Sequence, residues 1–182
     1  MEKEEKKLIS AAKNGDTQAF ATLYGQYAQP LYRFALWYLH NTHDAEDAVQ
    51  DAVVQAFRNV SSLRKEDSFK SWLFKILANV CKRRLIENKN TYTDEAVQDN
   101  PDLCKQESPS LDMADRLTLQ EAVATLPPED RQILLLSVVA GYKSDEIAKM
   151  LNMKAATVRS VKSRSLARLR TMLSEECSYE NQ

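Results

Sequence analysis

Between Ala45 and Val60, apolar residues return every three or four positions for four turns: Ala45, Ala48, Val49, Ala52, Val53, Ala56, Phe57 and Val60. A strand would need strict alternation, so this spacing fits an amphipathic helix with one buried face. Its other side carries Asp44, Glu46, Asp47, Gln50, Asp51 and Gln55. Acids crowded into the first turns are favoured by the helix dipole, and that alone accounts for them. Four acids within eight residues on an open face would equally suit docking to a basic protein surface.

The same period recurs on both sides of this segment. Asp16 is placed to cap a helix bearing Ala19, Phe20, Leu23, Tyr24 and Tyr27. Pro30 is expected to open another, with Leu31, Phe34, Ala35, Tyr38 and Leu39 on one stripe. Further on, SWLFKILANVCKRRLIENK offers Trp72, Leu73, Ile76, Leu77 and Val80 for burial and ends in the basic run Lys82-Arg83-Arg84. Three glycines and five prolines in 182 residues leave little material for turns or sheet edges. The expected fold class is all-α.

Residues 91–115 break the periodicity. They hold seven acids, one lysine, Pro101 and Pro109, which is linker composition. The expected organisation is two small helical bundles, 1–90 and 116–174, joined by this flexible acidic linker and followed by a tail at 175–182.

The C-terminal bundle shows the sharpest charge pattern. From Ile147 to Ser174 there are seven Lys or Arg residues and no Asp or Glu, in a chain of net charge −1. A polyanionic partner, nucleic acid first, is implied. Ser144 can cap a helix in which Ile147, Ala148 and Leu151 form a buried stripe, and Asn152 can take the left-handed conformation that ends it. A second helix from about Ala155 has Val158, Val161, Leu166 and Leu169 for its inner side. Two helices joined by so short a turn form a helix-turn-helix, whose second helix enters the DNA major groove. Thr157, Arg159, Ser160, Lys162, Ser163 and Arg164 are expected on the outer side, where Arg and Lys reach guanine edges or phosphates and hydroxyls suit either.

Other classes are excluded by what the sequence lacks. No glycine-rich phosphate loop, nucleophile elbow or His/Cys/carboxylate constellation occurs, so neither an enzyme nor a cofactor is expected. Cys81, Cys104 and Cys177 are odd in number and widely spaced, which suits a reducing cytoplasm and gives no metal-ligand spacing. His40 and His43 read as loop-capping residues. No apolar run is long enough to insert in a bilayer, and MEKEEKKLIS is a charged helix start without the apolar core of a signal peptide.

The segment 58–70, RNVSSLRKEDSFK, is a polar loop followed by an aromatic helix and trailing cations. That arrangement can hold splayed bases while the cations follow the backbone. It is equally an ordinary loop, with Trp72 and Phe74 as core and Lys82 to Arg84 as a solvated turn.

Taken together, these segments resemble the extracytoplasmic-function (ECF) sigma factors of bacterial RNA polymerase. DAEDAVQDAVVQAF at 44–57 is similar to region 2.2, SFKSWLFKILANVCKRRL at 68–85 to regions 2.3 and 2.4, and 126–170 to region 4. The resemblance implies a factor that binds core polymerase, directs it to a promoter and nucleates melting. It assigns Asp44, Glu46, Asp47, Gln50 and Asp51 to docking on the β′ clamp helices, with region 4 on the β flap. It assigns Arg64, Lys65, Ser68 and Phe69, with Asn79 and Arg83, to the −10 element, where the loop captures a flipped base. Arg159, Ser160 and Arg164 match positions that read the −35 element, and Thr157, Lys162 and Ser163 complete that set. An anti-sigma factor, often membrane-bound in this family, is the further partner implied. Departures are Arg83, where the family usually has Asp, and Val161, where a basic residue is common. The competing reading is a helix-turn-helix regulator that is not a polymerase subunit.

Overall fold

The computed structural model describes residues 3–91 and 113–179. The body of the expected linker, 92–112 with Cys104, lies outside the described residues. Eight helices follow in order: α1 (Lys3–Lys13), α2 (Thr17–Leu39), α3 (Thr42–Asn59), α4 (Phe69–Thr91), α5 (Met113–Ala124), α6 (Pro128–Val138), α7 (Ser144–Leu151) and α8 (Ala155–Tyr179). Two short 3-10 turns, Val60–Ser62 and Glu66–Ser68, connect α3 to α4. No strand occurs among the described residues, in agreement with the all-α expectation.

Helices α1 to α4 enclose one core, with Ile9, Leu23, Phe34, Leu73 and Leu77 almost fully buried. The regular face of α3 is inward as its period demands: Ala45, Ala48, Val49, Ala52 and Ala56 are buried, whereas Phe57 is 42% exposed. Its cap is Asn41, whose side-chain oxygen accepts from the Asp44 N–H at 2.9 Å. Asp16 caps α2 as expected, accepting from Ala19 N–H at 3.0 Å.

Pro30 does not open a helix; it lies inside α2, which runs unbroken for 23 residues. The reason is phase. Phe20, Leu23, Tyr27, Leu31, Phe34 and Tyr38 are spaced three or four apart through the proline, so one continuous stripe faces the core. Burial of that stripe holds the helix across the missing N–H. Ser144 is likewise not a cap but the first residue of α7; Glu146 reaches back to accept from the Lys143 N–H at 2.7 Å. Helix α8 continues through Tyr179, so residues 175–179 are helical where the sequence suggests only a tail.

Helices α5 to α8 surround Ile133, Leu136, Ile147 and Val158. Helix α6 is unusual among them. Arg131, Gln132, Ile133, Leu134, Leu135 and Leu136 are all buried, so no side of that stretch meets solvent. A helix enclosed all round must have partners on opposite faces. One face meets α7 and α8; the other meets α2 and α4, so the two bundles are packed together as well as joined in sequence.

His40 ends α2 in the left-handed conformation (φ 57°), donating its N–H to Leu36 O at 2.9 Å, which agrees with a capping role. Its imidazole is buried, and neither ring nitrogen has a hydrogen-bond partner among the described residues. Burial, and secondarily Arg131, lower its pKa to about 4. An unfolded histidine takes up a proton near pH 6.5, so between that value and about 4 the unfolded chain binds the extra proton and stability falls with falling pH. The loss reaches at most ~3 kcal/mol by pH 4. Urea midpoints measured across this range should slope, and His40→Asn should flatten the slope; an unchanged slope would remove His40 as its source.

Candidate nucleic-acid interface

The turn between α7 and α8 is set by Asn152, which adopts φ 55° and ψ 48° and donates its N–H to Ala148 O. Asparagine tolerates this conformation better than most residues, and it lets α8 leave at once in a new direction. Val158, Val161, Ser165 and Leu169 recur at three- or four-residue intervals and are buried, Val158 completely. The opposite side is thereby forced outward. Thr157, Arg159, Ser160, Ser163 and Arg164 are exposed, and Lys162 is half-buried at the edge. Arg159 Nη1 lies 3.2 Å from Asp145 Oδ1 of α7, an exposed pair that costs little to break. Val161 is 5% exposed, so the residue there packs the helix instead of facing solvent.

The second surface lies in the first bundle. Of the expected 58–70 loop, only residues 60–68 lie between α3 and α4; this connection is pinned by buried Val60, Leu63 and Phe69, the last opening α4, with Arg64 and Lys65 exposed between the pins. Ser68 is half-buried and donates its hydroxyl to Lys65 O at 2.6 Å. Helix α1 braces this segment through Lys6 Nζ, 2.9 Å from Asp67 Oδ1, and is tied to α2 through Glu5, which accepts from the Tyr27 hydroxyl. Phe69 corrects the sequence expectation. It is 1% exposed, against Tyr27 and Trp72 with ring centroids 5.8 and 5.9 Å away, and so anchors the loop from inside where a base cannot reach it.

Along α4, Phe74 is wholly buried between Phe34 and Tyr142 and is core. Asn79 and Arg83 are exposed and stand four residues apart on one face. Lys75 extends that face one turn earlier and is also exposed. The sequence reading missed it, although its i−4 spacing from Asn79 was available. Arg84 is not part of this stripe. Its guanidinium reaches across to α3, with Nη2 2.6 Å from Asp51 and Nη1 3.3 Å from Asp47. Burial works against its charge, but Asp51 and Asp47 outweigh that and hold its pKa above the ordinary value.

The acidic surface of α3 is therefore divided, not uniformly open. Asp47 and Asp51 face Arg84 of α4, whereas Glu46 and Gln50 border a groove of about 480 Å³ floored by Tyr24, Tyr32, Val49 and Val53 of α2 and α3. Asp44 sits in the first turn, half-buried beside its Asn41 cap. No group of His, Cys, Asp and Glu able to hold a metal ion occurs among the described residues. Cys81 is buried, and burial pushes its thiol pKa well up. No described helix is long and apolar enough to cross a membrane.

Two family models match the chain: Sigma-70 region 2 over residues 23–91 and Sigma-70, region 4 over residues 116–169. The chain is 30% identical over 172 residues to the ECF RNA polymerase sigma factor SigM of Mycobacterium tuberculosis, covering 94% of this chain and 86% of that one. It is 28% identical over 181 residues to the ECF RNA polymerase sigma factor SigW of Bacillus subtilis, covering 92% and 96%. Among solved structures, the sigma factor RpoE of Bartonella quintana, crystallised with the anti-sigma factor NepR, aligns with a TM-score of 0.70 at 26% identity over 87% of this chain and 98% of that one. CnrH, solved with the cytosolic domain of CnrY, shares the fold with a TM-score of 0.72 at 22% identity, over 95% and 99%.

Proposed function

This chain belongs to the extracytoplasmic-function branch of the sigma-70 family, and we propose how its surfaces divide that family's task. As a sigma factor it directs RNA polymerase to promoters, acting by binding and not by bond chemistry. The reading that treats it as a helix-turn-helix regulator outside polymerase is set aside, because the likeness spans both bundles.

In this reading α8 reads the −35 element through Thr157, Arg159, Ser160, Lys162, Ser163 and Arg164. What supports it is that burial of the Val158–Leu169 stripe leaves the hydroxyls and cations on the free side of a helix-turn-helix. The loop tip at Arg64 and Lys65, with Ser68 beside it, and the α4 stripe of Lys75, Asn79 and Arg83 hold the −10 element. Phe69 supports that loop from below. Capture of an unpaired base offsets an unstacking cost of a few kcal/mol. Asp44, Glu46, Asp47, Gln50 and Asp51 face core polymerase, and the apolar groove beside Glu46 and Gln50 belongs to the same docking surface. Work alongside polymerase places the chain in the cytoplasm. An anti-sigma factor is a further partner, as for the Bartonella relative.

Run-off transcription with core polymerase and genomic fragments tests the whole reading. Transcripts that appear only when the chain is added are expected. Promoter binding by the chain alone, as tight as with polymerase, would oppose it.

A further inference from the structure

We infer that Arg84 is a positioning residue for polymerase docking: from α4 it grips one oxygen of Asp47 and one of Asp51, and so presents both carboxylates in fixed places to a basic partner surface. The inference rests on the docking assignment above and deepens it, because Arg84 acts through those carboxylates.

Arg84 reaches α3 because of its phase on α4. Leu73, Leu77 and Cys81 are buried, and Arg84 continues their stripe at helical steps of four, four and three residues. Arg83, one position earlier, points about 100° away and is exposed. The inner face of α3 is built of Ala45, Ala48, Ala52 and Ala56, too small to hold a neighbour off, and α4 packs directly on that helix. Arg84 Nη2 therefore donates to Asp51 Oδ2 at 2.6 Å, and Nη1 to Asp47 Oδ2 at 3.3 Å. A planar guanidinium with a fork of donors suits two acids one turn apart, which an ammonium does not.

The grip changes what a partner meets. Asp47 and Asp51 stand four residues apart, so their charges repel across a single turn. Without a cation between them, both side chains would be ordered only on binding, at an entropic cost. Arg84 takes Oδ2 of each and leaves each Oδ1 to another donor. The two side chains remain 61% and 47% exposed. A cation on a partner thus finds carboxylates that are already held.

Burial speaks against the opposite role, a cation that competes with polymerase and lets go on docking. Only 22% of the Arg84 side chain is exposed, and its Nε is buried without a hydrogen-bond partner among the described residues. A partner that drew both acids away would strand a half-buried, unpaired ion, which is the costliest way to break such a pair. The grip therefore persists in the docked state.

Arg84→Met keeps the length of the side chain and removes the fork. In anisotropy titrations of labelled chain with core polymerase, it should bind about tenfold more weakly, as expected when two side chains are left to be ordered on binding. Run-off transcription at saturating chain should still reach the wild-type level, because the Lys75, Asn79 and Arg83 stripe is untouched. In a chain that carries Asp47→Asn and Asp51→Asn, adding Arg84→Met should cause no further loss, a result that general loosening of the fold would not give. Arg84→Lys keeps the cation and with it the packing, but a point charge holds one carboxylate at a time. About threefold weaker binding is expected from the one side chain left unordered. This substitution decides the question if thermal unfolding shows Arg84→Met to be melted under assay conditions.

Tighter binding by folded Arg84→Met would make Arg84 a competitor and overturn the inference. Wild-type affinity in Arg84→Lys would overturn it too, as would a lowered transcription ceiling with unchanged affinity. Should the chain with Asp47→Asn and Asp51→Asn bind polymerase as tightly as wild type, the docking assignment itself fails, whatever Arg84 does.

Discussion

Reversing Asp47 and Asp51 together to arginine is expected to weaken association with core polymerase by at least about a hundredfold. Like charges brought together across an interface cost several kcal/mol, and about 3 kcal/mol corresponds to that factor. The structure adds a second cause. Both carboxylates hold Arg84, so the reversal also sets new cations against it and loosens the α3–α4 seam. Asp47→Asn with Asp51→Asn separates the two effects, since it removes charge without creating repulsion. Anisotropy titration of labelled chain with core polymerase gives the affinity, and thermal unfolding reports the α3–α4 packing. A charge-reversed chain that melts as wild type does and binds within threefold of it would remove these two residues from the docking surface and leave the groove beside Glu46 and Gln50 to carry it.

Phe34→Ala should cost about 3–5 kcal/mol, the range for emptying an aromatic site in a packed core. Phe34 is fully buried, 6.0 Å from Tyr38 and edge-on to Phe74 at 5.9 Å between ring centroids. Phe74 continues to Tyr142 in the other bundle, so the rings form one line through both cores. Urea unfolding would measure the loss. A change below about 1 kcal/mol would mean that the cavity collapses or that the rings are not packed as described.

Most helices were legible from spacing alone, because each has one dry face and one wet face. The inner residues of α3 and α8 follow from their periods, and Asp16 and Asn152 follow from side chains suited to caps. The exceptions have separate physical causes. Pro30 reads as a helix start locally, and only the stripe on both sides of it shows that packing overrides the break. Phe69 follows a polar stretch and reads as exposed, yet it opens α4 with its ring buried, where it anchors the preceding turns. Ser144 was the obvious cap, but a glutamate three residues beyond Lys143 does the work from inside the helix. The run RQILLL lacks an amphipathic period because two bundles cover it from opposite sides. Arg84 looked like part of a free basic run, since nothing in α4 alone reveals carboxylates waiting on α3.

The way Arg131 is held has a consequence for ionic strength. Its buried guanidinium donates to the backbone carbonyls of Tyr38, Ala124 and Leu126 and lies 5.7 Å from the Tyr38 ring centroid, so added salt has no exposed ion pair there to screen. Surface pairs such as Lys82–Glu129 and Arg159–Asp145 are open to screening, and so is every phosphate grip the chain makes on DNA. Raising salt toward 1 M, where charges are screened beyond about 3 Å, should strip the chain from nucleic acid while leaving it as compact as before.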